Sequence, residues 1–244
     1  MSKKLYLNLF LSILILLLVS KYAHGLTNYW AGRIVNMLSI VLAGSFLIKF
    51  NPKFFPKKEN STFRIEYLLP IVIGIIGLFI INYFIPKLIY NLMDWESTIK
   101  IHRTKSELIR YIGLIFVLGI LEELYFRRII AQKLFNSKGF SKAVWISAFI
   151  FGFAHIITGS GLFVVFLGGL LLGYIYLKTK SIWMSIIAHI SYNLLLLFIS
   201  PFLDKKSTDF FSYQITAIFI GFGLTLIYIM YLIIKKQTEL KTCR

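Results

Sequence analysis

The chain has 244 residues, 58% of them hydrophobic and only 15% charged, with a mean hydropathy of +0.77. This composition excludes an ordinary soluble domain and a disordered chain, and places the sequence among integral membrane proteins. The net charge of +17 does not point to nucleic acid, because the Lys and Arg lie in short loops and tails between apolar runs, where they set topology and attract anionic headgroups. The lipid bilayer is therefore the partner that composition implies, and no nucleic-acid partner is expected. The only cysteine, Cys243, gives neither a disulfide framework nor a multi-cysteine metal site, and Cys243-Arg244 lacks the pattern of a prenylation box.

Apolar runs at about 5–22, 32–50, 65–86, 107–130, 142–158, 162–178, 182–202 and 212–234 each read as one transmembrane helix of about 17–25 residues. The expected fold is an all-α polytopic membrane protein of about eight spans, with nothing between spans long enough to fold separately. The first run resembles a secretory signal, with Lys3-Lys4, an apolar core and a small-residue site at Ala23-His24-Gly25. Lys21, Tyr22 and His24 make a poor region for cleavage, so the run is read as a retained span. Asn36 and Asn82 read as interhelical hydrogen-bond partners, and Gly169-xxx-Gly173 as a close helix approach. Pro70 is expected to kink the third span. His24 and His102 are placed in loops, and the Asn60-Ser61-Thr62 sequon in a cytoplasmic one.

Assigning Lys and Arg to alternating sides puts about two-thirds of the 27 on the side of the N-terminus, which predicts cytoplasmic termini. The Lys-, Ile- and Phe-rich composition suggests a bacterial cell membrane. Three segments follow: 1–105, helices without a motif; 106–202, a core carrying the chemistry; and 203–244, a last helix with a basic tail.

The chemistry-bearing residues lie on spans four to seven. Glu122 and Glu123 sit in an otherwise apolar run, where a carboxylate at bilayer depth costs about 2.5–3.5 kcal/mol, so a functional role is the first hypothesis. Glu123 and Arg127 are four apart, which stacks an acid and a base on one helix face. Glu122 points about 100° away from that pair, where it can serve as a proton acceptor. The alternative is that both glutamates merely mark a helix end at a cytoplasmic vestibule. The turn near Gly139 lies 17 residues after Glu122 and 16 before His155, so a tight helical hairpin brings this carboxylate and imidazole to one depth. Phe151 is four residues before His155 and shares its face. His189 and Asn193 are also four apart; their side-chain N–H groups suit an oxyanion, or else act as polar contacts between helices.

The pattern Glu122-Glu123-xxx-Arg127, Phe151-xxx-His155 and His189-xxx-Asn193 resembles the three motifs of the CAAX protease and bacteriocin-processing family (CPBP, or Abi) of intramembrane proteases. The resemblance covers about residues 106–200, without departure at the motif positions. It implies a helical fold with a site open towards the cytoplasm and an endopeptidase acting on a membrane-associated peptide or protein. It also implies that Glu122 and His155 activate water, that His189 and Asn193 stabilise the oxyanion, and that Glu123 and Arg127 position the helix. In a bacterium it points to peptide processing or bacteriocin self-immunity.

Glu122, His155 and His189 could also supply three ligands to a catalytic zinc or another divalent metal, with water as the fourth. No paired-histidine zinc helix is present, and a zinc would leave Asn193 without a task, so no cofactor is the favoured reading. Two other classes stay open: a non-catalytic immunity or scaffold protein, and a proton-coupled transporter. The transporter lacks support from any inverted repeat.

Overall fold

The structure, a computed structural model, describes residues 3–50, 63–92, 105–156, 162–203 and 212–242; His102, the Asn60 sequon, Cys243 and Arg244 lie outside them. Nine α-helices are found among the described residues: α1 (Lys3–His24), α2 (Tyr29–Phe50), α3 (Leu68–Leu92), α4 (Lys105–Glu123), α5 (Gln132–Lys138), α6 (Phe140–Ala154), α7 (Leu162–Thr179), α8 (Ile182–Leu203) and α9 (Tyr213–Thr242). A 3₁₀ turn at Ile65–Tyr67 leads into α3, and a π-helix at Leu124–Ala131 joins α4 to α5. No strand occurs among the described residues. The protein is thus an all-α polytopic membrane protein.

Each of the eight apolar runs coincides with helical structure, but among the described residues six helical segments are long and apolar enough to cross a bilayer by themselves. The fourth run is interrupted by charges at Glu107, Arg110, Glu122, Glu123, Arg127 and Arg128. The fifth, α6, has 15 residues. His24, expected in a loop, is the last residue of α1.

The distribution of polarity fits lipid as solvent. On α1, Leu7, Phe10 and Leu18 face outwards while Asn8, Ser12 and Ser20 are buried. Lipid tails are as apolar as leucine, so helices associate through close packing and hydrogen bonds rather than by hiding apolar surface.

The chain divides into two compact units, with boundaries after Phe63, within α4 after Val117 and within α8 after Ser185. The first unit holds residues 1–63 and 118–185. Here α1 packs along α2, and Ser20 Oγ donates to Asn36 Oδ1 at 2.8 Å, as expected for an interhelical asparagine. Ser12 Oγ donates to the Ala43 carbonyl at 2.8 Å and shares a 2.7 Å hydrogen bond with the Tyr125 hydroxyl, which ties this helix pair to the π-helix. Gly139, with φ +81°, makes the turn into α6 that the spacing predicts; this left-handed conformation suits glycine. A Cβ on Gly169 would stand 2.9 Å from the Ala148 Cα, so the approach of α7 to α6 requires glycine there; at Gly173 the nearest atom would be 3.6 Å away.

The π-helix was not legible in the hydrophobic pattern. Its wider turn is marked by the Gln132 N–H bonded to the Arg127 carbonyl five residues back. It buries Tyr125, Phe126 and Arg127 and then Ile129, Ile130 and Ala131, two runs of three consecutive residues. Such π segments occur frequently at functional sites.

The second unit holds residues 64–117 and 186–244. Its central contact is α3 against α9, where a Cβ on Gly77 would meet the Gly223 carbonyl oxygen at 2.6 Å and the Phe84 and Phe219 rings stack at 4.6 Å. Asn82 Nδ2 donates to the Tyr192 hydroxyl at 2.7 Å, as expected of an interhelical partner. The expected kink at Pro70 is not what that residue does. It sits in the first turn of α3, where a missing N–H costs no helical hydrogen bond; the proline inside the helix is Pro86.

Candidate functional site

Glu122 and Glu123 end α4, and the chain enters the π-helix at the next residue. Glu123 and Arg127 are both fully buried, and Arg127 Nε donates to Glu123 Oε2 at 3.1 Å. The acid and base four residues apart therefore do pair. The rest of the guanidinium lies over the face of Phe151, its central carbon 4.6 Å from the ring centroid, while Nη1 and Nη2 are buried without a hydrogen-bond partner. A cation held against an aromatic face in a dry interior gains about 2 kcal/mol or more, which offsets part of its desolvation.

Ser185, from the start of α8, also donates its hydroxyl to Glu123 Oε2, so one carboxylate oxygen receives an arginine and a serine. Ser185 is fully buried. Sequence reading missed it, although the signal was present: Ser185, His189 and Asn193 follow one another at intervals of four, on one face of α8.

Phe151 connects this ion pair to the imidazole. Its ring packs edge-on against Phe126 at 4.9 Å and meets the His155 ring at 4.5 Å. His155 was expected inside a helix. It instead caps the C-terminus of α6 at φ −90°, ψ −2°, a backbone conformation common at active sites. Its Nδ1 lies 2.8 Å from the Phe151 carbonyl oxygen. A carbonyl only accepts, so Nδ1 carries a proton and neutral His155 is left with a basic Nε2.

That Nε2 faces Glu122 Oε2 at 3.7 Å, with the two side chains 17% and 15% exposed. The hairpin spacing thus brings together the carboxylate and the imidazole as expected. The separation is too long for a direct hydrogen bond, yet one water can lie at about 2.8 Å from both atoms. Both side chains keep part of their surface exposed.

The first unit therefore gathers Glu122, Glu123, Arg127, Phe151, His155 and Ser185. His189 and Asn193 belong to the second unit, where His189 is buried and Asn193 half-buried. For a metal, the Glu122 and His155 pair offers one oxygen and one nitrogen, and the Nδ1 contact to a carbonyl is one that metal-binding histidines also make. Among the described residues, however, no three His, Cys, Asp or Glu side chains cluster tightly enough to hold an ion, whereas a catalytic zinc takes three protein ligands.

Residues 104–195 match the family model described as type II CAAX prenyl endopeptidase Rce1-like. No curated protein and no solved structure matches the chain. The matched stretch contains the Glu122, His155 and His189 motifs and Ser185 as well. Over residues 104–195 the chain is thus similar to the Rce1-like type II CAAX prenyl endopeptidases, in agreement with the resemblance carried by its three motifs.

Proposed function

We propose that this protein is an intramembrane endopeptidase in which Glu122 and His155 activate water against a peptide bond of a membrane-associated substrate. The observation that carries this reading is the 3.7 Å gap between Glu122 Oε2 and His155 Nε2, two basic atoms facing one another with the histidine proton committed to the Phe151 carbonyl. Two acceptors at that distance are served by a donor to both, and water is such a donor.

In the proposed reaction, a water held by both atoms attacks the carbonyl carbon while Glu122 takes one of its protons. The new C–O bond turns the carbonyl oxygen into an oxyanion. His189 and Asn193, neighbours on one face of α8, donate side-chain N–H bonds to it. Glu122 then returns the proton to the departing nitrogen, the C–N bond breaks as the carbonyl re-forms, and the products are a carboxylic acid and an amine, between which the remaining proton then equilibrates through solvent. Glu123, Arg127 and Ser185 hold the π-helix that follows Glu122, and Phe151 holds the imidazole through its carbonyl and ring. The resemblance to the family favours peptide processing or self-immunity as the setting, while composition favours a bacterial cell membrane and the charge bias favours cytoplasmic termini.

The test is hydrolysis itself. Purified protein in lipid nanodiscs should cleave a fluorogenic peptide library carrying a lipidated or apolar anchor, and Glu122→Gln should not. A wild type that binds such peptides without cleaving any would favour a scaffold or immunity protein.

A further inference from the structure

A second polar site lies at the turn between α1 and α2, and it shares no residue with the Glu122 and His155 site. A cavity of about 100 Å³ there is lined by Ala23, His24, Leu26, Tyr29, Gly32, Arg33 and Asn36. Its cation is Arg33, whose guanidinium carbon lies 5.0 Å from the centroid of the Tyr29 ring one turn earlier on α2. No carboxylate among the described residues is within salt-bridge reach of Arg33. The Asn36 amide oxygen already accepts from Ser20, so its NH₂ is the group it offers the cavity. His24 ends α1 and adds its imidazole to the lining. The first backbone amides of α2 are already taken, since the Asn28 side chain accepts from the Trp30 and Ala31 N–H groups. The lining therefore presents donors and positive charge from side chains, which is the chemistry of a phosphate site.

The surroundings indicate which phosphate. Tyr22, Tyr29 and Trp30 are 66%, 43% and 41% exposed around the same turn. Both helices that end there are long and apolar enough to span a bilayer. Tyr and Trp at the ends of such helices sit at the level of lipid headgroups. A cationic cavity at that level meets phosphodiesters at far higher local concentration than free phosphate.

We infer that the His24, Arg33 and Asn36 cavity binds the phosphodiester of a membrane glycerophospholipid, with Arg33 as its principal ligand. The bound lipid braces the α1–α2 turn in the leaflet it faces. The inference does not depend on the proteolytic reading.

The experiment is native mass spectrometry of the full-length protein in detergent, titrated with phosphatidylglycerol, with thermal unfolding measured in parallel. Wild type should retain one lipid that Arg33→Gln binds at least tenfold more weakly, and Arg33→Lys, which keeps the charge but loses the two-pronged geometry, should be intermediate. Tyr29→Leu, which removes the ring that holds the guanidinium, should weaken binding while leaving Arg33 in place. The lipid should raise the unfolding midpoint of wild type and not that of Arg33→Gln. Equal lipid retention by wild type, Arg33→Gln and Tyr29→Leu would overturn the inference. So would displacement of the lipid by millimolar inorganic phosphate, which would make this a site for the free anion.

Discussion

His155 Nδ1 stands 2.8 Å from the carbonyl oxygen of Phe151, one helical turn earlier, and this contact decides which nitrogen faces Glu122. The Phe-xxx-His spacing thereby does two things. The backbone of Phe151 fixes the imidazole tautomer, and its ring lies between the imidazole and the Arg127 guanidinium. Phe151→Leu keeps the carbonyl and removes the aromatic face. We expect it to lower the unfolding midpoint and to reduce turnover by about tenfold or more, while His155 retains its tautomer in nitrogen-15 NMR spectra. A change of tautomer would mean that the ring, not the carbonyl, sets the imidazole.

Removal of the Ser185 hydroxyl takes one donor from a buried carboxylate, and hydrogen bonds to charged groups contribute about 1.5–3 kcal/mol. Ser185→Ala should therefore destabilise the protein by an amount in that range in chemical unfolding. Arg127→Met should cost more, because it leaves Glu123 charged and buried. Glu123→Gln combined with Arg127→Met should recover part of the loss. Unchanged stability in all three would show that the cluster does not hold the π-helix.

Gly169 and Gly173 look equivalent in sequence but not in structure. A methyl at Gly169 meets the backbone of Ala148, and overpacking of this kind costs about 1–3 kcal/mol, whereas at Gly173 ordinary contact distances remain. Gly169→Ala should lower the thermal midpoint, and Gly173→Ala should leave it unchanged or raise it through better helix propensity. Equal effects at both positions would contradict the packing described.

The fold was legible where periodicity and charge carry it. Apolar length located the helices, the equal arms about Gly139 brought Glu122 level with His155, and spacing of four paired Glu123 with Arg127. The failures have physical causes. A π-helix leaves no mark in a hydrophobic pattern read at 3.6 residues per turn, so the consecutive burial of Tyr125, Phe126 and Arg127 could not be foreseen. Ser185 shares a face of α8 with His189 and Asn193, but a small neutral serine shows its role only once the Glu123 carboxylate is seen against it. Pro70 was misread because the start of α3 was set too early, and a proline in a first turn bends nothing.

Asn193→Ala should lower turnover by about 10²–10³ with little change in substrate affinity, since an oxyanion donor acts mainly in the transition state. Steady-state kinetics separate the two quantities. A raised KM with unchanged kcat would assign Asn193 to substrate binding instead.

The central claim is that Glu122 and His155 together activate water. Its most direct test is single-turnover peptide cleavage by purified wild type, Glu122→Gln and His155→Ala in nanodiscs, with bound metal quantified in the same samples and thermal midpoints as the control for folding. The account predicts that each variant loses at least about 10³-fold in the chemical step while keeping the wild-type midpoint, and that metal-stripped wild type stays active. Full cleavage by either variant, or activity that vanishes on chelation and returns only with stoichiometric zinc, would contradict it.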